Sequence, residues 1–253
     1  MASLDSVKQK VIRAAKHLKS LEGVAVEYFN GNPGDVVAEE EANSGRLILR
    51  FVARTPVPTS VPLIIGDALQ NLRSSLDYLV WELVLAANNN PTKKNMFPIC
   101  SSNNAFKDQL AKGRLNGIAP DALTEIEALQ PYHYGQKCES APIRVIDSFC
   151  NINKHRRVLL TVLAAHAAHT EFVSSESGSS AQQILSPRYH DAEIAVGPVP
   201  AKVGETVEVK GNLISFITFD EGAAKGLDVS SCLNHLWHFV DKVVVPKFER
   251  FFF

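Results

Sequence analysis

The sequence predicts an α+β fold, a helical bundle joined to a C-terminal antiparallel β-sheet, and three observations predict it. Long segments near both ends and in the middle carry apolar residues at three- and four-residue spacing. Residues 158–219 are instead rich in valine, isoleucine and threonine and are interrupted by Gly, Pro and Ser turns. The order is helix, strand, several helices, a strand-rich block and a closing helix, which is no βαβ alternation. Residues 1–157 thus form a mainly helical part with one early strand. Residues 158–253 form a strand-rich block closed by a helix, the two making one integrated domain.

Leu4, Val7, Val11, Ala14 (or Ala15) and Leu18 draw an apolar stripe along residues 3–21, with Ser3 or Asp5 available as a cap. This helix reaches Phe29 at most, where Asn30-Gly31-Asn32-Pro33-Gly34 stops it. Glu39-Glu40-Glu41 reads as a solvated acidic turn, and residues 46–53 as a strand ended by Pro56-Val57-Pro58. Residues 63–87 form the clearest helix. Leu69, Leu72, Leu76, Leu79 and Leu83 make its apolar stripe, and Asn88-Asn89-Asn90-Pro91 ends it.

A short Phe97-Pro98-Ile99 element follows, then helices at 105–112 and 120–129, the second opened by Pro120 and broken by Gln130-Pro131-Tyr132. Residues 142–155 form a helix with Ile143, Ile146 and Phe149 (or Cys150) inward. Beyond it, 158–173 and 182–219 are strand-like, with residues 174–180 a Ser/Gly-rich loop. Lys202-Val203-Gly204-Glu205 and Lys210-Gly211-Asn212 look like hairpin turns. The strand at 46–53 can join the sheet of this block. The last helix, from Val229 to Val245 or beyond, buries Leu233, Leu236 and Val240, and Pro246 kinks or ends it.

Composition excludes several classes of function. With 253 residues, 45% of them hydrophobic, the chain builds its core without a metal or disulfide. A net charge of −1 argues against a surface coated in positive charge for non-specific nucleic-acid binding. Cys100, Cys138, Cys150 and Cys232 form no C-x-x-C pair and are expected reduced, in or near the core. No apolar run spans a bilayer and the N-terminus carries no secretory pattern, so the expected location is cytoplasmic, with no membrane partner. There is no Walker A, no G-x-S-x-G and no dinucleotide fingerprint, and no cofactor is implied. His166 and His169 lack a carboxylate at metal-site spacing, so no metal site is assigned. His235 and His238 read as core or rim residues, and Tyr132-His133-Tyr134 as a turn or a base-stacking platform.

Two segments carry the functional signal. The first is the polar decoration of the long helix, Gly66-Asp67-x-Leu69-x-Asn71-Leu72-Arg73-Ser74-x-Leu76-Asp77, followed by Tyr78 and Glu82. On an ideal helix Asn71, Ser75, Tyr78 and Glu82 flank the leucine stripe on one side and Gln70, Arg73 and Asp77 on the other. Both flanks border the buried face, where polar groups need partners. Either Arg73 pairs with Asp77 and the rest bond neighbouring helices, or Arg73 presents its guanidinium to a ligand. The second segment is Asn151-Ile152-Asn153-Lys154-His155-Arg156-Arg157, where a helix gives way to a strand. It is either a helix end with dipole-complementing cations or a phosphate site. In the second case Asn151, Lys154 and Arg156 hold the anion and His155 acts as acid or base.

These motifs, taken with Phe97-Pro98-Ile99 and Gln130-Pro131-Tyr132, resemble a family of uncharacterised bacterial proteins between about residues 66 and 157. The arginine helix is in addition similar to the arginine-to-histidine helix signature of HEPN domains, helical dimers that include metal-independent ribonucleases. That resemblance points to Arg73 as a catalytic residue, with Asn71, Asp77 and Tyr78 beside it in support, and His155 of the second segment is the candidate to supply the catalytic histidine. Tyr78 stands where the HEPN histidine would be, and a tyrosine of ordinary pKa is a poor general base near neutral pH. Arg73 and residue 78 also lie about 140° apart around an ideal helix.

Three readings follow. The first is a HEPN-like binder of RNA or nucleotide phosphate, with ribonuclease activity if the histidine is supplied elsewhere. The second is a non-catalytic homodimeric interaction module, because the polar flanks and Phe251-Phe252-Phe253 leave surface for a second copy. The third is an enzyme acting on a small anionic metabolite held by residues 154–157.

Overall fold

The computed structural model describes residues 2–40, 47–156, 158, 160–166, 171–174, 180–182, 193–196, 202–210 and 213–252. Helix α1 (Asp5–Asn30) continues beyond Leu21 through Phe29 and ends at the Asn-Gly-Asn-Pro stop, the longer of the two extents its sequence allows. It buries Val7, Val11, Ala14, Leu18, Leu21 and Tyr28. Helix α2 (Ser60–Ala86) starts three residues earlier than its periodicity suggests, because Pro62 sits in the first turn, where its missing N–H costs nothing.

Ser3 and Ser6 at the start of α1 reach Glu82 near the end of α2, so the two helices pack antiparallel. Ile65, Ala68, Leu69, Leu72, Leu79 and Val80 of α2 are fully buried. Each large aliphatic among them stabilises the fold by about 1.5–3 kcal/mol. This is the central helix, touching α1, α5 (Pro142–His155) and α6 (Val229–His238). Helices α3 (Asn103–Ala111) and α4 (Pro120–Ala128) lie between them in sequence. Ser102 caps α3 by accepting from the Ala105 amide, and Pro120 opens α4.

The strands divide differently from the single sheet expected. Strands β1 (Gly34–Glu40), β2 (Leu47–Ala53), β4 (Glu171–Ser174), β5 (Ser180–Gln182), β6 (Glu193–Val196) and β7 (Thr206–Lys210) form one antiparallel sheet in the order β5-β4-β7-β1-β2-β6. Strands β3 (Leu160–His166) and β8 (Leu213–Phe219) pair only with each other among the described residues. β8 stays apart because it turns to the bundle, with Ile217 and Phe219 buried where it meets α1 and α6.

Strand β1 corrects the acidic-turn reading of Glu39 and Glu40. Both continue the ladder from Gly34↔Ala53 to Glu40↔Leu47. Ala38 is buried while its neighbours Val37 and Glu39, which point to the opposite face, are half-buried, so one face of the strand is better covered than the other. The third glutamate of that run, Glu41, lies outside the described residues.

Neither proposed hairpin joins paired neighbours. The turn at 202–205 does form, with Gly204 at φ +82°, but it leads into β7, which pairs with β4 and β1 and not with β6. Residues 211 and 212 lie outside the described set, and the strands that flank them belong to different sheets.

The last helix continues through Pro246. A π-helical turn (Phe239–Val244) precedes α7 (Val245–Phe248) and shifts the hydrogen-bond ladder ahead of the proline. Phe251 and Phe252 are half-buried against the core. Cys100 and Cys150 are buried, Cys138 and Cys232 half-buried, and all four are free thiols. His235 and His238 are exposed, so the rim reading holds for both. Among the described residues no helix is long and apolar enough to cross a membrane.

Candidate functional site

Polar residues of α2, together with Gln130 just after α4, converge on one stretch of extended chain, the Phe97–Cys100 segment, which belongs to no helix or strand. Buried backbone without secondary structure needs side-chain partners, and the motifs supply them. Asp77 Oδ1 accepts from the Phe97 amide at 2.9 Å, and Arg73 Nη2 donates to the Phe97 carbonyl at 3.0 Å. Both backbone groups of one residue, Phe97, are thus held. Gln130, fully buried, accepts from the Cys100 amide and donates to the carbonyls of Pro98 and Ile126, each at 3.0 Å. The Phe97-Pro98-Ile99 and Gln130-Pro131-Tyr132 motifs are therefore two halves of one joint.

Arg73 and Asp77 sit one turn apart and pair at 2.7 Å. Arg73 Nε faces Asp147 of α5 at 3.6 Å, and Asp147 also lies 3.7 Å from Arg144. Along α5 the ladder continues: Asn151 donates to Asp147 at 3.3 Å, and Lys154 reaches Asn151 Oδ1 at 3.5 Å. Further down the same crossing, a Cβ on Gly66 would lie 2.4 Å from the amide nitrogen of Asn153, so glycine permits the close approach of α5 to α2. Cys150 is buried in this crossing. Desolvation pushes its thiol up to about 12, against the opposing pull of Arg73 and Lys154.

The structure brings Arg73, Asp77, Asn151 and Lys154 into one ladder, and leaves Arg156 and His155 outside it. Arg156 turns away to form a two-pronged pair with Glu221, which raises its already high pKa. His155 is exposed at the last turn of α5. It follows Asp147, the residue facing Arg73, by eight positions, about 12 Å along the helix axis. Arg73 and His155 therefore do not converge on one reacting atom within a single chain. Asn71 bonds the Asp67 carbonyl at 2.8 Å. Arg157 lies outside the described residues.

Tyr78 points elsewhere. With Trp81, Glu82, Asp77, Ser6 and Asn95 it lines a cleft of about 410 Å³ between the start of α1, α2 and the loop before Phe97. Lys10 of α1 lies 5.2 Å from the centre of its ring. Glu82 accepts from the Ser3 amide and the Ser6 hydroxyl, both at 3.1 Å. Trp81 and Asn95 were not among the residues singled out from sequence. The available signal was the spacing of Tyr78 and Trp81, three residues apart and off the leucine stripe. Comparison of the chain with protein-family models, curated proteins and solved structures returns no match.

Proposed function

We propose that this chain is a non-catalytic interaction module, with a second copy of itself as one candidate partner. The observation that carries this reading is the state of Arg73. All three of its guanidinium nitrogens face intramolecular partners, Asp77, the Phe97 carbonyl and Asp147. An arginine so engaged, and only 15% exposed in its side chain, is a structural clamp. Metal-free incubation with RNA tests the reading. Intact RNA is the expected result, and cleavage that is lost in His155→Ala would overturn it. Light scattering across a wide concentration range tests the second copy, and a single chain mass throughout would remove that partner.

A second reading keeps the HEPN-like view, in which the chain binds RNA or a nucleotide phosphate. One observation favours it: Lys154 and His155 are exposed side by side at the end of α5, where Lys154 contacts only Asn151 among the described residues. Asn151, Lys154 and Arg156 would hold the phosphate and His155 and Arg73 would act on it, with Asn71, Asp77 and Tyr78 in support. Titration of a labelled single-stranded RNA at low and high salt tests this. Affinity that falls steeply with salt and is weakened by Lys154→Ala is the supporting outcome.

A further inference from the structure

We propose that the cleft walled by Tyr78 and Trp81 is a binding site for an organic cation, the guanidinium or ammonium of an arginine or lysine. The inference rests on reading the chain as a binding module and names the chemistry of what it binds. A volume of about 410 Å³ falls within the range of small-ligand sites. It would admit one long cationic side chain.

The walls select the charge. Tyr78 and Trp81 each keep 43% of their surface exposed, although both are large and partly apolar. Their ring faces carry negative electrostatic potential and attract cations. Two carboxylates share the lining, Asp77 and Glu82, with no lysine or arginine among its described residues. Asp77 commits Oδ1 to Arg73 and the Phe97 amide, and nothing among the described residues bonds its Oδ2. Each Glu82 oxygen takes one donor from the start of α1 and retains a second lone pair.

Ser6 and Asn95 add polar atoms at the rim. An anion entering here would meet the carboxylates of Asp77 and Glu82, which disfavour phosphate. Lys10 already places its ammonium over the Tyr78 ring at 5.2 Å, so an incoming cation must displace it from that face or take the Trp81 ring.

The ligand can arrive as a side chain of a partner polypeptide or as a free small cation, and the experiment separates these sources. The indole N–H signals of Trp81 and Trp237 are followed by NMR in the full chain, with Trp81→Phe assigning the pair. N-acetylarginine amide, N-acetyllysine amide, the neutral isostere N-acetylcitrulline amide and a short arginine-containing peptide are titrated in turn. The Trp81 signal is expected to move with the arginine and lysine amides, at a dissociation constant on the order of 1 mM, and not with citrulline. Glu82→Gln, whose oxygen still accepts from the Ser3 amide while its NH2 can donate to the Ser6 hydroxyl, should weaken binding at least about tenfold, as should Tyr78→Ala.

Peptide binding at least about tenfold tighter than the free amide assigns the site to a partner polypeptide. Equal affinities assign it to a small cation. A still Trp81 signal at saturating arginine and lysine amides, or equal response to citrulline, would overturn the proposal. RNA cleavage in the separate metal-free assay would overturn the interaction-module reading while leaving this site to stand or fall on the titration.

Discussion

The guanidinium of Arg73 on α2 stands 3.6 Å from the carboxylate of Asp147 on α5, and this contact ties together two helices through residues 74 positions apart in sequence. Asp77 and the Phe97 peptide complete the cluster, so one arginine fixes a helix pair and an extended segment together. The side chains are 15%, 35% and 22% exposed for Arg73, Asp77 and Asp147, half inside the protein and half at its edge.

Removing that arginine leaves two carboxylates and a carbonyl facing each other. Arg73→Ala should cost about 2–4 kcal/mol, the loss of a buried pair discounted for partial exposure. Urea denaturation measures it. Asp147→Ala combined with Arg73→Ala should be non-additive by about 0.5–3 kcal/mol. A loss under 0.5 kcal/mol for Arg73→Ala would mean that the clamp contributes nothing to stability.

Gly66 predicts a change of sign. A Cβ there meets the Asn153 side chain at 2.4–2.7 Å, so Gly66→Ala should destabilise by about 1–3 kcal/mol through overpacking. In an Asn153→Ala background the space opens, and the same change should stabilise by up to about 1 kcal/mol, the helix propensity gained over glycine. Equal effects in both backgrounds would show that the crossing tolerates a methyl group.

Stability should fall on the alkaline side. Burial raises the thiols of Cys150 to about 12 and of Cys232 to about 11 from an ordinary value of 9.0. Both stay protonated in the folded chain at pH values where they ionise once it unfolds. Their contribution is therefore complete below pH 9 and is lost as pH rises toward 11–12, at up to about 1.4 kcal/mol per pH unit for each thiol. The urea midpoint under reducing conditions should drop between pH 8 and pH 10.5, and Cys150→Ala should lessen the drop. A level profile would contradict the burial of these thiols.

Arg156→Ala separates a structural pair from an anion site. The side chain is 53% exposed where it joins Glu221, so its loss should leave the urea midpoint nearly unchanged. RNA affinity should stay unchanged if the chain is an interaction module. A loss of about 1.5–3 kcal/mol in RNA binding would favour the phosphate reading instead.

How much of this was legible beforehand follows from where each partner lies. The helices α1, α2 and α5 were readable because a 3.6-residue period is local, and Leu69, Leu72 and Leu76 declare it within two turns. The Arg73–Asp77 pair was readable for the same reason, since four residues separate its members. Gln130 and Phe97 stood out as motif residues, yet their meeting across a loop was not readable, because nothing local links a buried amide to the peptide that it satisfies. Strand β1 was hidden by Glu39 and Glu40, whose charge suits a turn equally well until β2 pairs with them.

The sequence by itself determined the helices, the strand-rich character of the C-terminal block and the residues that carry polar chemistry near the core. Tertiary structure alone decided that Arg73 is closed in by Asp147, that Arg156 turns to Glu221, and that α1 brings Ser6 and Lys10 beside Tyr78. Helix periodicity is set by neighbours three and four residues away, whereas a charge or a cleft is completed by whatever distant segment the packed core delivers to it.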